Sequence, residues 1–233
     1  MIDIILLEPT KQQNLGAIAR IMKNFDFDSL VLIAPKCKIG KSARKVAKHA
    51  NNILDKAKIK DFSYLKKMDY LIGTTAILGT DYNIPRNAIG IEQFSNKIKK
   101  TFKNLKNKKI GILIGREGIG LKNEEINMCD ILVTIPASKK YPTMNISHAL
   151  SIILYELFKN SSNEKSNSHI NFANKDEKDI IIKYFKKALD KMDFSTKEKK
   201  DTQKIVWKRV VGKAMLTKRE AFAIMGFLRK IVK

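Results

Sequence analysis

The chain opens on a strand-like apolar run at residues 2–8. Residues 15–25 then place apolar side chains at 15, 18, 21, 22 and 25, a spacing that predicts a helix. The pattern repeats. Residues 29–34 read as a strand, 42–57 as a helix, and 70–73, 110–114 and 131–135 as further buried strands. Residues 145–158 form a strongly apolar helix, with Ile146, Ala149, Leu150, Ile153, Leu154 and Leu157 on one broad face. Strands alternating with helices predict an α/β fold with a mostly parallel sheet covered on both faces.

The alternation stops after residue 159. Residues 160–174 are rich in Asn and Ser, have no apolar period, and read as a linker. From residue 175 to 233 every period is helical. One stripe runs through Ile180, Ile181, Tyr184, Phe185, Ala188 and Leu189. A second runs through Ile205, Val206, Val210 and Met215. Thr217 to Glu220 spells a capping box, opening a last helix with Phe222, Met225 and Leu228. Sixty residues bury little core alone. Such a tail folds weakly, docks on the first domain, or orders on a partner.

Charge narrows the partner. Among 233 residues, 46 basic side chains outnumber 23 acidic ones, a net charge of +23. That excess favours a polyanion, and nucleic acid over membrane, because no basic amphipathic helix with an aromatic face stands out. The alternative is a lysine-coated surface of the kind heat adaptation produces. The tail alone carries ten more basic than acidic residues. Cys37 and Cys129 make no disulfide framework. With no membrane-length apolar run and no signal-like N-terminus, they predict a cytoplasmic protein. His49, His148 and His169 show no metal-ligand spacing with either cysteine, so no metal is expected.

Three polar, glycine-bearing segments follow apolar strands, where open α/β sheets place ligands. The first is Asn14-Leu15-Gly16-Ala17-Ile18-Ala19-Arg20. Asn14 fits a helix cap, Gly16 a close approach, and Arg20 either a solvated helix residue or a phosphate contact. The second is Gly115-Arg116-Glu117-Gly118-Ile119-Gly120. Its glycine spacing matches neither a dinucleotide fingerprint nor a Walker loop, and the Glu117 carboxylate inside the turn is unusual. The third is Tyr141-Pro142-Thr143-Met144-Asn145-Ile146-Ser147, where Thr143 and Asn145 fit helix caps.

Taken in order, the segments resemble the three signature motifs of the SpoU branch of the SPOUT RNA methyltransferases. The third is usually Ser-Leu-Asn and is Thr-Met-Asn here. The resemblance covers residues 1–159 and implies a SPOUT α/β sheet whose C-terminal part forms a deep trefoil knot, in a homodimer. It implies S-adenosylmethionine as cofactor, bound by Thr74, Thr75, Ala76, Gly115, Ile135, Thr143, Met144 and Asn145. It implies a catalytic set of Arg20, Asn14, Glu117 and Asn145, with Arg20 against the ribose 2′-hydroxyl and Glu117 organising the site. A guanidinium stays protonated at ordinary pH, so Arg20 is better suited to orient a phosphate and stabilise a developing alkoxide than to act as a base.

The tail resembles the C-terminal extension of the TrmJ-type branch, through Lys208-Arg209, Lys213, Thr217 to Glu220, and Gly226-x-Leu228. That branch methylates the ribose at position 32 of the tRNA anticodon loop. Arg86, Lys208, Arg209 and Lys213 become candidate RNA contacts, and Tyr82 a further one. Trp207 either stacks on a base or anchors the tail's own core. The alternatives are a SpoU enzyme for ribosomal RNA or another tRNA position, and a non-catalytic RNA-binding protein of the same fold.

Overall fold

The structure is a computed structural model that describes residues 2–79, 87–102, 108–159 and 171–232. Tyr82 and Arg86 lie outside the described residues. Seven parallel strands make one sheet in the order β3-β2-β1-β6-β4-β7-β5. They are β1 (Ile2–Leu7), β2 (Ser29–Ile33), β3 (Lys58–Lys60), β4 (Tyr70–Thr74), β5 (Ile89–Gly90), β6 (Ile110–Ile114) and β7 (Ile131–Thr134).

Alternation along each strand divides the core into two layers. Ile4, Leu6, Leu30, Leu32, Ile72 and Ile112 point into one, covered by α1 (Gln12–Asn24), α2 (Lys41–Ala47), α3 (Asn51–Asp55), α4 (Ile91–Phe102) and α6 (Ile146–Lys159). Ile5, Leu7, Val31, Ile33, Leu71 and Leu113 point into the other, closed by the 3₁₀ turn Phe62–Lys67 and by α5 (Asn123–Met128). Both faces are therefore buried, as a parallel sheet requires.

The five strands expected from the apolar runs are present. The edge strands β3 and β5 and the helices α4 and α5 are additions to the expected elements, although Ile91, Phe94 and Ile98 of α4 recur at helical spacing. The helix expected over 42–57 breaks at Lys48, whose φ is 53°, into α2, a 3₁₀ turn and α3. The break brings Ala50, Ile53 and Leu54 into the core.

The tail forms α7 (Lys175–Asp190), α8 (Lys197–Lys213) and α9 (Lys218–Val232). Ala173, Ile181, Val211, Leu216, Ala221 and Leu228 make its small core, and Trp207 stacks on Phe185 at 4.0 Å, so Trp207 anchors the tail. The last expected linker residues are ordered instead: Phe172 and Ala173 are buried, Phe172 pairs with Thr217, and Asn174 caps α7. The Thr217–Glu220 capping box forms as predicted.

The tail docks on the N-terminal ends of β4 and β7. Lys178 is 3% exposed. Its ammonium sits 3.4 Å from the Asp130 carboxylate and 3.7 Å from the centre of the Tyr70 ring, and donates to the Asp69 carbonyl. Tyr70 O–H donates to the Ala173 carbonyl at 3.4 Å, and Lys175 N–H to Asp69 Oδ1 at 3.2 Å. Gly212 lets α8 approach closely: a Cβ there would lie 3.0 Å from the Asp130 carbonyl oxygen.

The expected second stripe is shifted. Val210 is exposed, and the docked face of α8 carries Arg209 and Gly212. Lys208 donates to the Asn127 carbonyl and Arg209 to the Asn87 carbonyl. The sequence suggests that these two cations meet RNA; the structure instead engages Arg209, buried, and Lys208, partly buried, with carbonyls of the first domain. Burial lowers the pKa of both, and of half-buried Lys213 beside Arg209. A cleft of about 320 Å³ between α8 and α5 is lined by Ile126, Asn127, Lys204, Ile205 and Lys208, none of them a residue of the three motifs.

Candidate active site

Strands β6, β4 and β7 are neighbours, so the loops leaving their C-terminal ends lie side by side. These loops carry Gly115, Thr74 to Ala76, and Ile135. The chain then returns through Thr143 and Met144 into α6. Cross-braces hold the loops: Thr74 O–H donates to the Leu113 carbonyl at 3.1 Å, and Thr75 N–H to the Val133 carbonyl at 3.0 Å.

The three motifs meet in one line of hydrogen bonds. Asn14, buried in the first turn of α1, donates from Nδ2 to Glu117 Oε1 at 2.6 Å. Asn145 Nδ2 donates to Asn14 Oδ1 at 3.2 Å. Asn145 Oδ1 accepts from Ser147 N–H and O–H, both at 2.8 Å. Glu117 Oε2 accepts from Thr10 N–H at 3.2 Å and from the Thr10 hydroxyl. Asn145 is thus the cap of α6, as expected. Asn14 is not a cap: α1 starts at Gln12, and the Asn14 amide is committed to the glutamate.

At two of the motif glycines it is the protein's own backbone that comes close. A Cβ on Gly16 would fall 2.8 Å from Val46 Cβ and against the Ala43 carbonyl, so Gly16 lets α1 and α2 touch. A Cβ on Gly115 would fall 2.5 Å from Leu121 N and 2.7 Å from Gly120 Cα. The loop folds back on itself there, through an Arg116–Gly120 bridge with Gly118 at φ 77° and Gly120 at φ 74°.

Arg116, Glu8 and Glu125 are structural partners that the motif resemblance does not single out. The Arg116 guanidinium donates to Glu8 Oε1 from Nε at 2.9 Å, and to both Glu125 oxygens at 3.0 and 2.8 Å. Lys36 lies 2.7 Å from Glu8 Oε2. These donors hold the Glu8 carboxyl at about 2, well below its usual value, with the Arg116 hydrogen bonds the largest cause. Glu8 also sits in the left-handed region, at φ 42°. The clamp ties the end of β1 to the loop that presents Glu117. Its one signal in the sequence is the Arg116 beside Glu117 in the second motif.

Arg20 stands apart from this line. It is exposed near the end of α1 and makes no hydrogen bond or ion pair with a described residue. Thr143 and Met144 are exposed in the turn before α6. Among the described residues no cluster of His, Cys, Asp or Glu has the make-up of a metal site.

Residues 1–155 match the model of the SpoU rRNA methylase family. The chain belongs to that family. The tRNA (cytidine-2′-O-)-methyltransferase TrmJ of Methanocaldococcus jannaschii is 39% identical over 229 residues, covering 97% of each chain. Its namesake from Sulfolobus acidocaldarius is 33% identical over 232 residues, 99% of this chain and 93% of that one. The crystal structure of TrmJ from Z. mobilis superposes with a TM-score of 0.71 at 23% identity, over 100% of both chains. The last likeness is one of fold, and it extends through the helical tail as well as the SpoU sheet.

Proposed function

We propose that this protein transfers a methyl group from S-adenosylmethionine to the ribose 2′-hydroxyl of a tRNA nucleotide, at position 32 of the anticodon loop. One observation carries the reading: the Glu117–Asn14–Asn145 line ties all three motifs together at the ends of adjacent strands. The two full-length relatives, both named tRNA cytidine-2′-O-methyltransferases, support the substrate.

The residues present fit the cofactor. Ile77, Leu78, Ile119, Tyr141 and Met144 are large apolar side chains left exposed, and all stand on these loops. Apolar walls on loops at strand ends suit an adenine ring and a methionine chain. Thr74, Thr75, Ala76, Gly115, Ile135, Thr143, Met144 and Asn145 would hold it. Once bound it supplies the electrophilic methyl group.

The chain's own residues do the rest. Glu117 has its carboxylate occupied by Asn14 and Thr10, so it braces the loops. Asn145 fixes the start of α6 beside the cofactor loops. Arg20, exposed and unpaired among the described residues, holds a phosphate beside the target ribose and stabilises negative charge developing on the 2′-oxygen. No metal takes part in this reading.

Residues 1–159 carry the transfer, with the C-terminal part of the sheet threaded as a trefoil knot. The tail from 175 onward widens the RNA-binding surface. With Lys208 and Arg209 turned inward, Lys213 and the exposed cations of the tail carry that role. The reading includes a cytoplasmic homodimer. The main apolar face of α6 is buried within its own chain, which leaves the aromatic cluster of Phe25, Tyr155 and Phe158 as the surface for a second copy. Among the described residues no helix is long and apolar enough to cross a membrane. Titration with S-adenosylmethionine tests the enzyme reading first: saturable binding is expected, and a protein that binds none is at most an RNA-binding relative.

A further inference from the structure

The segment from residue 36 to residue 48 holds six cations and no acid. Three of them, Lys41, Arg44 and Lys45, recur at i, i+3 and i+4 on one side of α2, and a fourth, Lys48, caps its C-terminal end. Ala43 and Ala47 are buried on the opposite side, and all four cations are exposed. Arg44 is paired with Asp55 at 2.7 Å. Lys41, Lys45 and Lys48 have no salt bridge among the described residues.

Like charges one turn apart weaken a helix, and α2 has only seven residues, too short to stand without tertiary support. A stripe that costs its own helix stability gains a purpose if a polyanion neutralises it. Among the described residues, residues 36–50 include no exposed large apolar side chain, which favours a nucleic-acid backbone over a membrane surface.

Its place matters more than its charge. Gly16 of α1 packs on Ala43 and Val46, and Lys23 of α1 donates to the His49 carbonyl at 2.5 Å. Residues 16, 20 and 23 share one side of α1. On α1, Arg20 therefore lies between the contact to Ala43 and Val46 and the contact to His49, alongside the end of α2 and its cap Lys48.

We propose that Lys41, Lys45 and Lys48 form a ledge that binds the phosphates flanking the ribose that Arg20 faces. The inference rests on the RNA-methylating reading above. It assigns the site-proximal phosphate contacts to α2 rather than to the tail.

The test is tRNA binding by the full chain across a series of KCl concentrations. The variant is Lys41→Gln/Lys45→Gln/Lys48→Gln. The control, Lys58→Gln/Lys60→Gln/Lys66→Gln, removes the same charge from β3 and the turn after it. Each lost phosphate contact lowers the slope of log affinity against log salt by roughly 0.7 to 0.9, so the ledge variant should lose about 2 units of slope. The control should lose less than half of that, and both should bind S-adenosylmethionine as the wild type does. The corresponding Lys→Arg triple should keep the full slope. An unchanged slope in the ledge variant, or equal losses in variant and control, overturns the ledge. So does a wild type whose ledge lysines matter only for binding phosphatidylserine vesicles. A wild type that binds no tRNA removes the RNA reading itself, whereas one that binds and methylates tRNA independently of the ledge removes only the ledge.

Discussion

The Asn14 side chain donates to the Glu117 carboxylate at 2.6 Å, joining two motifs 103 residues apart. The same Asn14 accepts from Asn145, so one amide spans all three motifs. Asn14→Asp replaces the donor with a second carboxylate facing Glu117. Methyl transfer should fall by about 100-fold, the usual cost of an ångström-scale misplacement at a reacting centre. Adding Glu117→Gln restores a donor–acceptor pair and should recover part of the rate. Single-turnover assays of both variants check this, and an Asn14→Asp enzyme of full activity would make the bond incidental.

Lys178 tests how firmly the tail is docked. Its ammonium is 3% exposed and bridges Asp130 and the Tyr70 ring. Burial lowers its pKa, with Asp130 opposing that effect. Lys178→Ala leaves the Asp130 carboxylate buried without its counterion, a loss of about 3–5 kcal/mol. Urea unfolding measures it, and protease sensitivity in the tail should rise in parallel. A loss below about 1 kcal/mol, within the range of an exposed pair, would mean the ammonium is not held as described.

The Glu8–Arg116 clamp predicts an acid limb. Glu8 titrates at about 2 in the folded chain, against a usual 4.5. A depressed folded value contributes stability that is present above the unfolded pKa and lost as pH falls through the folded one. Thermal midpoints should therefore drop between pH 4.5 and about 2, in a window set by that shift. Glu8→Gln should lower the midpoint at neutral pH and flatten this part of the acid limb. An acid limb identical in both proteins would contradict the clamp.

Much of the fold is legible in the amino-acid pattern. The buried strands β1, β2, β4, β6 and β7 are continuous apolar runs, because both faces of a parallel sheet are covered. β3 and β5 are short edge strands with exposed or half-buried side chains, so they leave no pattern. The order of the motifs points to one site, and Asn14, Glu117 and Asn145 do meet. The roles of Gly16 and Gly115 are not legible, since a glycine written beside polar residues does not reveal whether ligand or protein backbone comes close. Lys208 and Arg209 look solvent-facing because helical period marks apolar faces only, and α8 docks through cations that cap carbonyls.

Arg20→Ala should separate chemistry from cofactor binding. Arg20 makes no side-chain hydrogen bond or ion pair with the described residues assigned to the cofactor, so affinity for S-adenosylmethionine should stay near that of the wild type. The rate of transfer should fall by roughly 10²–10³, the range for losing a charge-stabilising donor. Arg20→Lys should recover little, because a single ammonium lacks the planar fork. Calorimetry for the cofactor and a methyl-incorporation assay read the two effects independently.

The most direct measurement is nucleotide-resolved mapping of 2′-O-methyl ribose on unmodified tRNA and ribosomal RNA incubated with the protein and S-adenosylmethionine. The account predicts a new mark on the ribose at position 32 of tRNA, absent without cofactor and absent with Arg20→Ala. Methylation confined to ribosomal RNA, or no new ribose mark on any RNA, would contradict it.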